Sequence, residues 1–402
     1  MKGVTTLAGA PRRVVVTGYG VVAPCGLGKA AFWGGLLGPA LTGSTTVHIT
    51  DWDPLPYYDS PKDARRADRF QQYAAAAAVE AFSHIDGRPQ VDPARFGVIF
   101  GTGVGGLETL EEQIEIRLAK GERRVSPFLV PMMMANAAGA AISMKYGLQG
   151  PCETVATACA AATHAIGNAA RQIAWGRCDA MVTGGSEAAA TPTSVAGFGN
   201  MTALTSSGKS TPFDAGRDGF VLGEGGAVFI LEELSVALAR GATIYGEVLG
   251  AGSNADAHHI TAPAPGGTGA VACMQLALDD ARLSASDIVH VNAHGTSTPL
   301  NDAAEAEAMA KVFGSPGPAV TSTKGVTGHA LGAAGALEAA AVLLAFQHRL
   351  IPPTAGTTQL DPAMSIDLVI GVPRPWEPGP SLSNSFGFGG HNGSIILAPY
   401  TG

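Results

Sequence analysis

The 402-residue chain is poor in charge and in aromatic rings: 14% of its residues are charged and 6% are Phe, Trp or Tyr. Its net charge of −8 leaves no basic excess. That excludes the cationic footprint on which general nucleic-acid binding depends. Cysteine is scarce and odd in number, with five residues at 25, 152, 159, 178 and 273 and no CxxC pair. A disulfide framework or a zinc ribbon is therefore not expected, and a reducing, cytoplasmic setting is. The longest apolar run, "GALEAAAVLLAF", is too short and too interrupted to cross a bilayer, so no membrane insertion is expected. No continuous apolar segment precedes Arg12 and Arg13, which argues against a signal peptide. No low-complexity linker interrupts the chain.

What the chain has is small and apolar residues: 46% are hydrophobic and 54 are glycine. Strand-like runs alternate with alanine-rich helical runs, the pattern of an α/β protein with buried sheets. "RRVVVTGYGVV" reads as a strand followed by a glycine turn, "ADRFQQYAAAAAVEAF" as a helix, and "RFGVIFGTG" as a strand entering a glycine loop. The second half repeats this grammar from "ATIYGEVLGAGSNA" to a terminal hairpin in "SLSNSFGFGGHNGSIILA". The loop-rich stretch 204–226 is expected to join the halves.

Within "ETVATACAAATHAIGNAARQIAWG", Cys159 falls where a strand meets the first turn of a helix. Unpaired amides and the helix dipole there favour a thiolate, and hence a nucleophile. His294 follows a strand in "VNAHGTSTPLND", with Asp302 and Glu305 beyond it; His329 follows Lys324 by five residues in "STKGVTGHALGAAGALE". Two histidines at strand exits flanked by small residues point to a crowded site. His84, His258, His259, His290 and His348 lack that context. "SNSFGFGGHN" places Phe386 and Phe388 among glycines, as a hinged gate whose backbone amide faces the site.

Taken in order, "GTGVGG", "SPFLVP", "TACAAA", "PFDAGRDGFVLGEG", "AHGTSTPLND", "STKGVTGHALGAAG" and "NSFGFGGHN" resemble the β-ketoacyl-acyl-carrier-protein synthases of the elongating kind, from about Arg12 to Leu397. The resemblance implies a thiolase fold: two related α/β halves, residues 1–250 and 251–402, in five αβαβα layers. It implies an acyltransferase with Cys159 as nucleophile, His294 and His329 assisting decarboxylation, Lys324 with Glu305 organising the site, and the amides of Cys159 and Phe388 as oxyanion hole. Thr296 and Thr298 would hold the pantetheine arm, and Phe386 would border it. Val104, Met132, Met134 and Phe198 would line the acyl tunnel. No dissociable cofactor is implied, since phosphopantetheine arrives on the carrier protein. No catalytic metal is implied either, although Asn292, Glu338, Ser383 and Asn384 match a monovalent-cation site. Acidic acyl carrier protein would dock on Lys62, Arg65, Arg66 and Arg69 and on Lys120, Arg123 and Arg124. One docking arginine of the family is replaced by Thr202.

The chain departs from the family pattern at Ala160–Ala162 after the nucleophile and at His391, and it is rich in methionine in "PMMMANAAG". These features leave room for a specialised type II polyketide ketosynthase, paired with an inactive chain-length-determining homologue, rather than a housekeeping fatty-acid enzyme; the resemblance itself fits fatty-acid or polyketide elongation by a homodimer or heterodimer. "GTGVGG" also matches a dinucleotide-binding loop, but no strand ending in an acidic residue follows at the required distance. A non-catalytic partner subunit would lack Cys159. A degradative thiolase would carry a second cysteine near the C-terminus, and none lies beyond Cys273.

Overall fold

The computed structural model describes residues 11–83 and 89–402. The N-terminal segment before Arg12 that bears on a signal peptide falls almost wholly outside these residues, as does His84.

Five strands form the first half-sheet: β1 (Val14–Ala23), β2 (Phe96–Gly101), β3 (Cys152–Val155), β4 (Ala180–Glu187) and β5 (Gly225–Glu233). The second half-sheet holds β6 (Gly246–Ala255), β7 (His290–Asn292), β8 (Ala319–Thr321), β9 (Ser381–Gly387) and β10 (His391–Ala398). Spatial order is β3-β2-β4-β5-β1 in the first and β8-β7-β9-β10-β6 in the second, with a short edge strand Asp367–Leu368 beyond β8. The two orders are the same once the second is renumbered from its own first strand, so the fold is a duplication. The halves meet edge to edge, where β1 pairs antiparallel with β6 from Val14↔Val248 to Val16↔Gly246.

Seven helices matter here: α1 (Arg69–Ser83), α2 (Leu107–Lys120), α3 (Ala137–Tyr146), α4 (Ala161–Ala174), α5 (Thr268–Ala281), α6 (Pro299–Phe313) and α7 (Ala334–His348). Helices α4 and α7 each touch strands of both halves and form the central layer. α1 and α3 cover the outer face of the first half-sheet; α5 packs on the second and carries α6. The result is the αβαβα stack.

Composition explains the central layer. Helix α7 is buried continuously from Ala334 to Phe346, so an all-round apolar sequence is what it needs. Among the described residues, the 18-residue segment Leu331–His348 that contains α7 is apolar enough to span a bilayer by composition, yet 89% of it is buried inside the protein. Alanines allow close approach on the outer face too. Asp68 caps α1 by accepting the Phe70 N–H at 3.1 Å, and the buried run Ala74–Ala78 lets the helix settle on β1. Opposite it, a Cβ on Gly20 would lie 2.1 Å from the Ala77 carbonyl oxygen, so only glycine fits.

Two sequence expectations are corrected. The glycines of "VVVTGYGVVA" do not end the first strand; β1 runs through them, with a bulge between Val16 and Gly18. The stretch 204–226 does not join the halves. It lies between β4 and β5 of the first half, and Leu222 bridges to Thr46 and His329.

Candidate active site

The nucleophile turn follows from the end of β3. A short 3-10 turn, Ala158–Ala160, leads into α4, and Ala158 is forced to a φ of 49°. This sharp reversal puts Cys159 immediately ahead of a 14-residue helix, at its positive end. The duplicated half does the same after β8: a 3-10 turn, Leu331–Ala333, precedes α7, and Leu331 has a φ of 44°. His329 stands just before that second turn. The two related turns thus face each other, one carrying the sulfur and the other the imidazole.

His329 Nε2 is 3.0 Å from Cys159 Sγ. The rings of His294 and His329 stand edge to face with centroids 5.3 Å apart. One donor atom from each of Cys159, His294 and His329 lies within 4.8 Å of the others. Lys324 Nζ approaches His294 Nδ1 at 3.4 Å and also donates to the His294 carbonyl. That contact makes Nδ1 the acceptor, so Nε2 of His294 carries the proton.

The two carboxylates near Lys324 make different contacts. The partner of Lys324 is Glu338, to which its ammonium donates directly; both side chains are 1% exposed. Glu305 does not pair with Lys324. It accepts the backbone N–H groups of His294 and Gly295, each at 2.8 Å, and so fixes the loop that carries the first imidazole.

Burial dominates the electrostatics. It holds both His294 and His329 well below the ordinary imidazole range, reinforced by the Lys324 charge, so both are neutral. Burial raises Glu305 to about 7. It also pushes the Cys159 thiol up to about 12, against the opposing pull of Lys324 and of the backbone amides of Phe388 and Cys159. The expectation of a resting thiolate is thereby corrected: desolvation outweighs the helix terminus. The two amides expected to form an oxyanion hole do face the sulfur.

A cavity of about 330 Å³ opens over this centre and is lined by Cys159, His294, Glu305 and His329 together with Thr296, Thr298, Phe198, Phe386 and Phe388. The Thr296 and Thr298 hydroxyls lie 2.9 Å apart on its wall. Val104, Met132 and Met134 are not on it; Val104 and Met134 stand 47% and 44% exposed, close to the segment Leu129–Met133. Cys159 touches instead a small apolar cluster of Ala189, Phe220, Leu222 and Leu331.

Lys62, Arg65, Arg66, Arg123 and Arg124 are exposed. Arg66 lies 4.0 Å over the Phe128 ring, which draws the two basic segments into one surface. Arg69 is turned away from it, donating to Tyr73 Oη at 2.6 Å and to the Ile49 carbonyl at 2.9 Å. At the matched cation positions, Asn292 Nδ2 donates to Ser383 Oγ at 3.3 Å, and Ser394 Oγ donates to Asn384 Oδ1 at 2.7 Å. The buried Asn292 Oδ1 and Glu338 Oε2 have no partner among the described residues, and such orphaned oxygens suit an alkali cation.

One buried acid escaped the sequence reading. Glu187 ends β4 at 0% exposure and adjoins the centre. Its signal was a lone acid closing the apolar strand "AMVTGG".

A thiol facing two neutral imidazoles, with two amides on the sulfur and a cavity leading to it, defines an acyltransferase of the condensing class on a duplicated α/β scaffold. The chain belongs to the β-ketoacyl synthase family: residues 38–237 match its N-terminal domain and residues 245–358 its C-terminal domain. It is 42% identical over 412 residues to a 3-oxoacyl-[acyl-carrier-protein] synthase 2 of Synechocystis sp., covering 97% of this chain and 98% of the relative. It is 40% identical to the enzyme of the same description from Staphylococcus aureus over 412 residues, covering 97% and 99%. Among solved structures, the ishigamide ketosynthase/chain length factor superposes with a TM-score of 0.89 at 34% identity, covering 98% of this chain and all of that one. A ketosynthase bound to the hexaketide, in complex with its type II polyketide acyl-carrier protein, superposes at 0.87 with 31% identity, covering 97% and 100%.

Proposed function

We propose that the chain elongates an acyl chain by decarboxylative Claisen condensation between an acyl group on Cys159 and malonyl-carrier protein, giving 3-oxoacyl-carrier protein, carbon dioxide and free enzyme. The first half supplies the nucleophile, and the second half, which begins with β6 at Gly246 rather than at the expected residue 251, supplies His294, Lys324 and His329. The observation that carries the reading is the 3.0 Å contact between Cys159 Sγ and His329 Nε2 across the seam of the two halves.

In the first step Cys159 passes its proton to His329 Nε2 as the sulfur attacks the incoming thioester. The tetrahedral oxyanion falls to the amides of Cys159 and Phe388. Collapse expels the pantetheine thiolate, which takes the proton from His329. In the second step malonyl-carrier protein loses carbon dioxide, and the enolate oxygen accepts hydrogen bonds from Nε2–H of His294 and of His329. Nδ1 of His329 has no partner among the described residues, so neither tautomer is locked. One imidazole can thus accept a proton in the first step and donate in the second. The carbanion then attacks the acyl-Cys159 carbonyl, the same two amides hold the oxyanion, and the Cys159 sulfur leaves as a thiolate that takes one proton from solvent to restore the resting thiol. Asn292, Glu338, Ser383 and Asn384 would hold a monovalent cation whose contribution is charge balance among buried carboxylates.

The phosphopantetheine arm comes on the acyl carrier protein, docking on Lys62, Arg65, Arg66, Arg123 and Arg124, and the enzyme works in the cytoplasm as a dimer. The identities near 42% with 3-oxoacyl-carrier-protein synthases favour fatty-acid elongation. The superposition on ketosynthase/chain-length-factor structures supports a second reading, a type II polyketide ketosynthase with a homologous partner. Incubation with acyl- and malonyl-carrier protein, followed by intact mass and carbon dioxide release, tests the chemistry. An acyl adduct on Cys159 that malonyl-carrier protein discharges is expected; a folded sample that never gains the adduct overturns it.

A further inference from the structure

Glu187 has no part in the steps above, yet it is the acid most tightly enclosed beside the nucleophile. Its carboxylate accepts the Gly103 N–H at 2.6 Å, the Thr102 hydroxyl at 3.1 Å and the Val104 N–H at 3.4 Å, all on the loop after β2. It also accepts the Gly332 N–H at 3.0 Å, from the turn that precedes α7 in the other half. Among the described residues no lysine or arginine forms an ion pair with it. One side chain therefore ties together a loop of each half.

The turn it holds is strained and functional. Leu331 sits in the left-handed region at a φ of 44°, a conformation that a leucine keeps only when its surroundings enforce it. Leu331 also lines the cavity, and His329 is two residues upstream. The loops are in backbone contact over the carboxylate. A Cβ on Gly332 would lie 2.0 Å from the Gly103 nitrogen, and one on Gly103 would lie 2.6 Å from Glu187 Oε2.

We propose that Glu187 is a positioning residue for the condensation: by gripping Gly332 from the first half, it sets the Leu331 turn and with it the distance of the His329 imidazole from Cys159. The inference rests on the condensing reading given above. Charge is part of the device. An ionised carboxylate can accept all four donors, whereas a protonated acid or an amide presents a donor of its own to the same ring of N–H and O–H groups. Burial moves this acid up to about 7, so its charge depends on the grip it makes.

The test compares full-length wild type with Glu187→Gln, Glu187→Asp and Thr102→Val, measuring kcat and KM for malonyl-carrier protein and the thermal midpoint. Glu187→Gln is expected to lower kcat on the order of 10- to 100-fold while KM stays within roughly twofold, because misplacement of a catalytic group harms the transition state more than binding. Glu187→Asp, which keeps the charge on a shorter arm, is expected to recover part of the rate. Thr102→Val, which removes one donor, is expected to lose roughly threefold in kcat with KM unchanged. A wild-type kcat in Glu187→Gln, or a loss that resides in KM alone, overturns the assignment. Should Glu187→Gln fail to fold, an unchanged kcat in Thr102→Val overturns it. A wild-type enzyme that releases no carbon dioxide from malonyl-carrier protein would instead sink the condensing reading, independently of Glu187.

Discussion

Cys159 Sγ and His329 Nε2 stand 3.0 Å apart, and both are uncharged at rest because burial opposes the ions. At rest the thiolate is a minor species, and the proton transfer to His329 generates it as a substrate arrives. Alkylation by iodoacetamide reads this directly. The rate at Cys159 is expected to climb roughly tenfold per pH unit between pH 7 and 9, because the thiol pKa lies near 12 and the thiolate fraction rises throughout that range. A plateau beginning below pH 8 would mean a preformed thiolate–imidazolium pair. Cys159→Ala should abolish both the alkylation and the acyl adduct.

Lys324 is the buried cation of the site, at 1% exposure. Its removal leaves Glu338 without its partner, and breaking one side of a buried pair costs about 3–5 kcal/mol. Lys324→Ala is expected to lower the denaturation midpoint accordingly and to slow decarboxylation, since Nδ1 of His294 loses the contact that fixes its tautomer. Lys324→Met combined with Glu338→Gln should regain much of the stability but not the rate. Equal stability of the single and double variants would contradict the pairing.

The strand–helix alternation and the position of Cys159 at a helix start were legible because they depend on local periodicity and on glycine and alanine placement. The order of the motifs was enough to collect His294, Lys324 and His329 around the sulfur. What was not legible depends on contacts made across the fold. Glu187 meets Gly332 only because the two halves are superposed across the central helices, a separation of 145 residues. Glu338 was matched to a cation site by resemblance, and nothing local shows that α7 also turns one of its oxygens onto Lys324. The thiol's charge was misjudged for a related reason: the helix terminus is visible in sequence, whereas the desolvation that outweighs it is not. Val104 and Met134 were placed by motif position alone, and in the single chain they are exposed and lie off the cavity.

The basic surface around Arg66 and Phe128 predicts a salt-sensitive encounter with an acidic carrier. Arg123→Glu with Arg124→Glu is expected to raise KM for acyl-carrier protein on the order of tenfold and to leave kcat within roughly twofold. Charges at an interface rim act on association more than on chemistry, so the salt dependence of kcat/KM should flatten in the same variant. Steady-state kinetics at low and moderate ionic strength would check both. A fall in kcat with KM unchanged would place these arginines elsewhere in the mechanism.

His290 gives the fold an acid-sensitive element apart from the reacting centre. It lies in β7 at 1% exposure, edge-on to Trp376 at 5.3 Å, and neither ring nitrogen has a hydrogen-bond partner among the described residues. Burial lowers its pKa to about 3 from the ordinary 6.5. The unfolded chain therefore binds a proton at this residue as pH falls through 6.5, while the folded chain refuses it until near 3. The stability that depends on the neutral ring is fully present above pH 6.5 and is lost progressively below it, at up to about 1.4 kcal/mol per pH unit. His164, His294 and His329 also have lowered values, so wild type should lose stability with a slope of several protons. His290→Leu fills the same apolar site without a titrating group. Its urea midpoint is expected to fall less than that of wild type between pH 7 and pH 5, by a slope of about one proton in the fully titrating limit. Identical slopes for the two proteins would show that His290 is protonated in the folded state, contrary to its buried, unpartnered position.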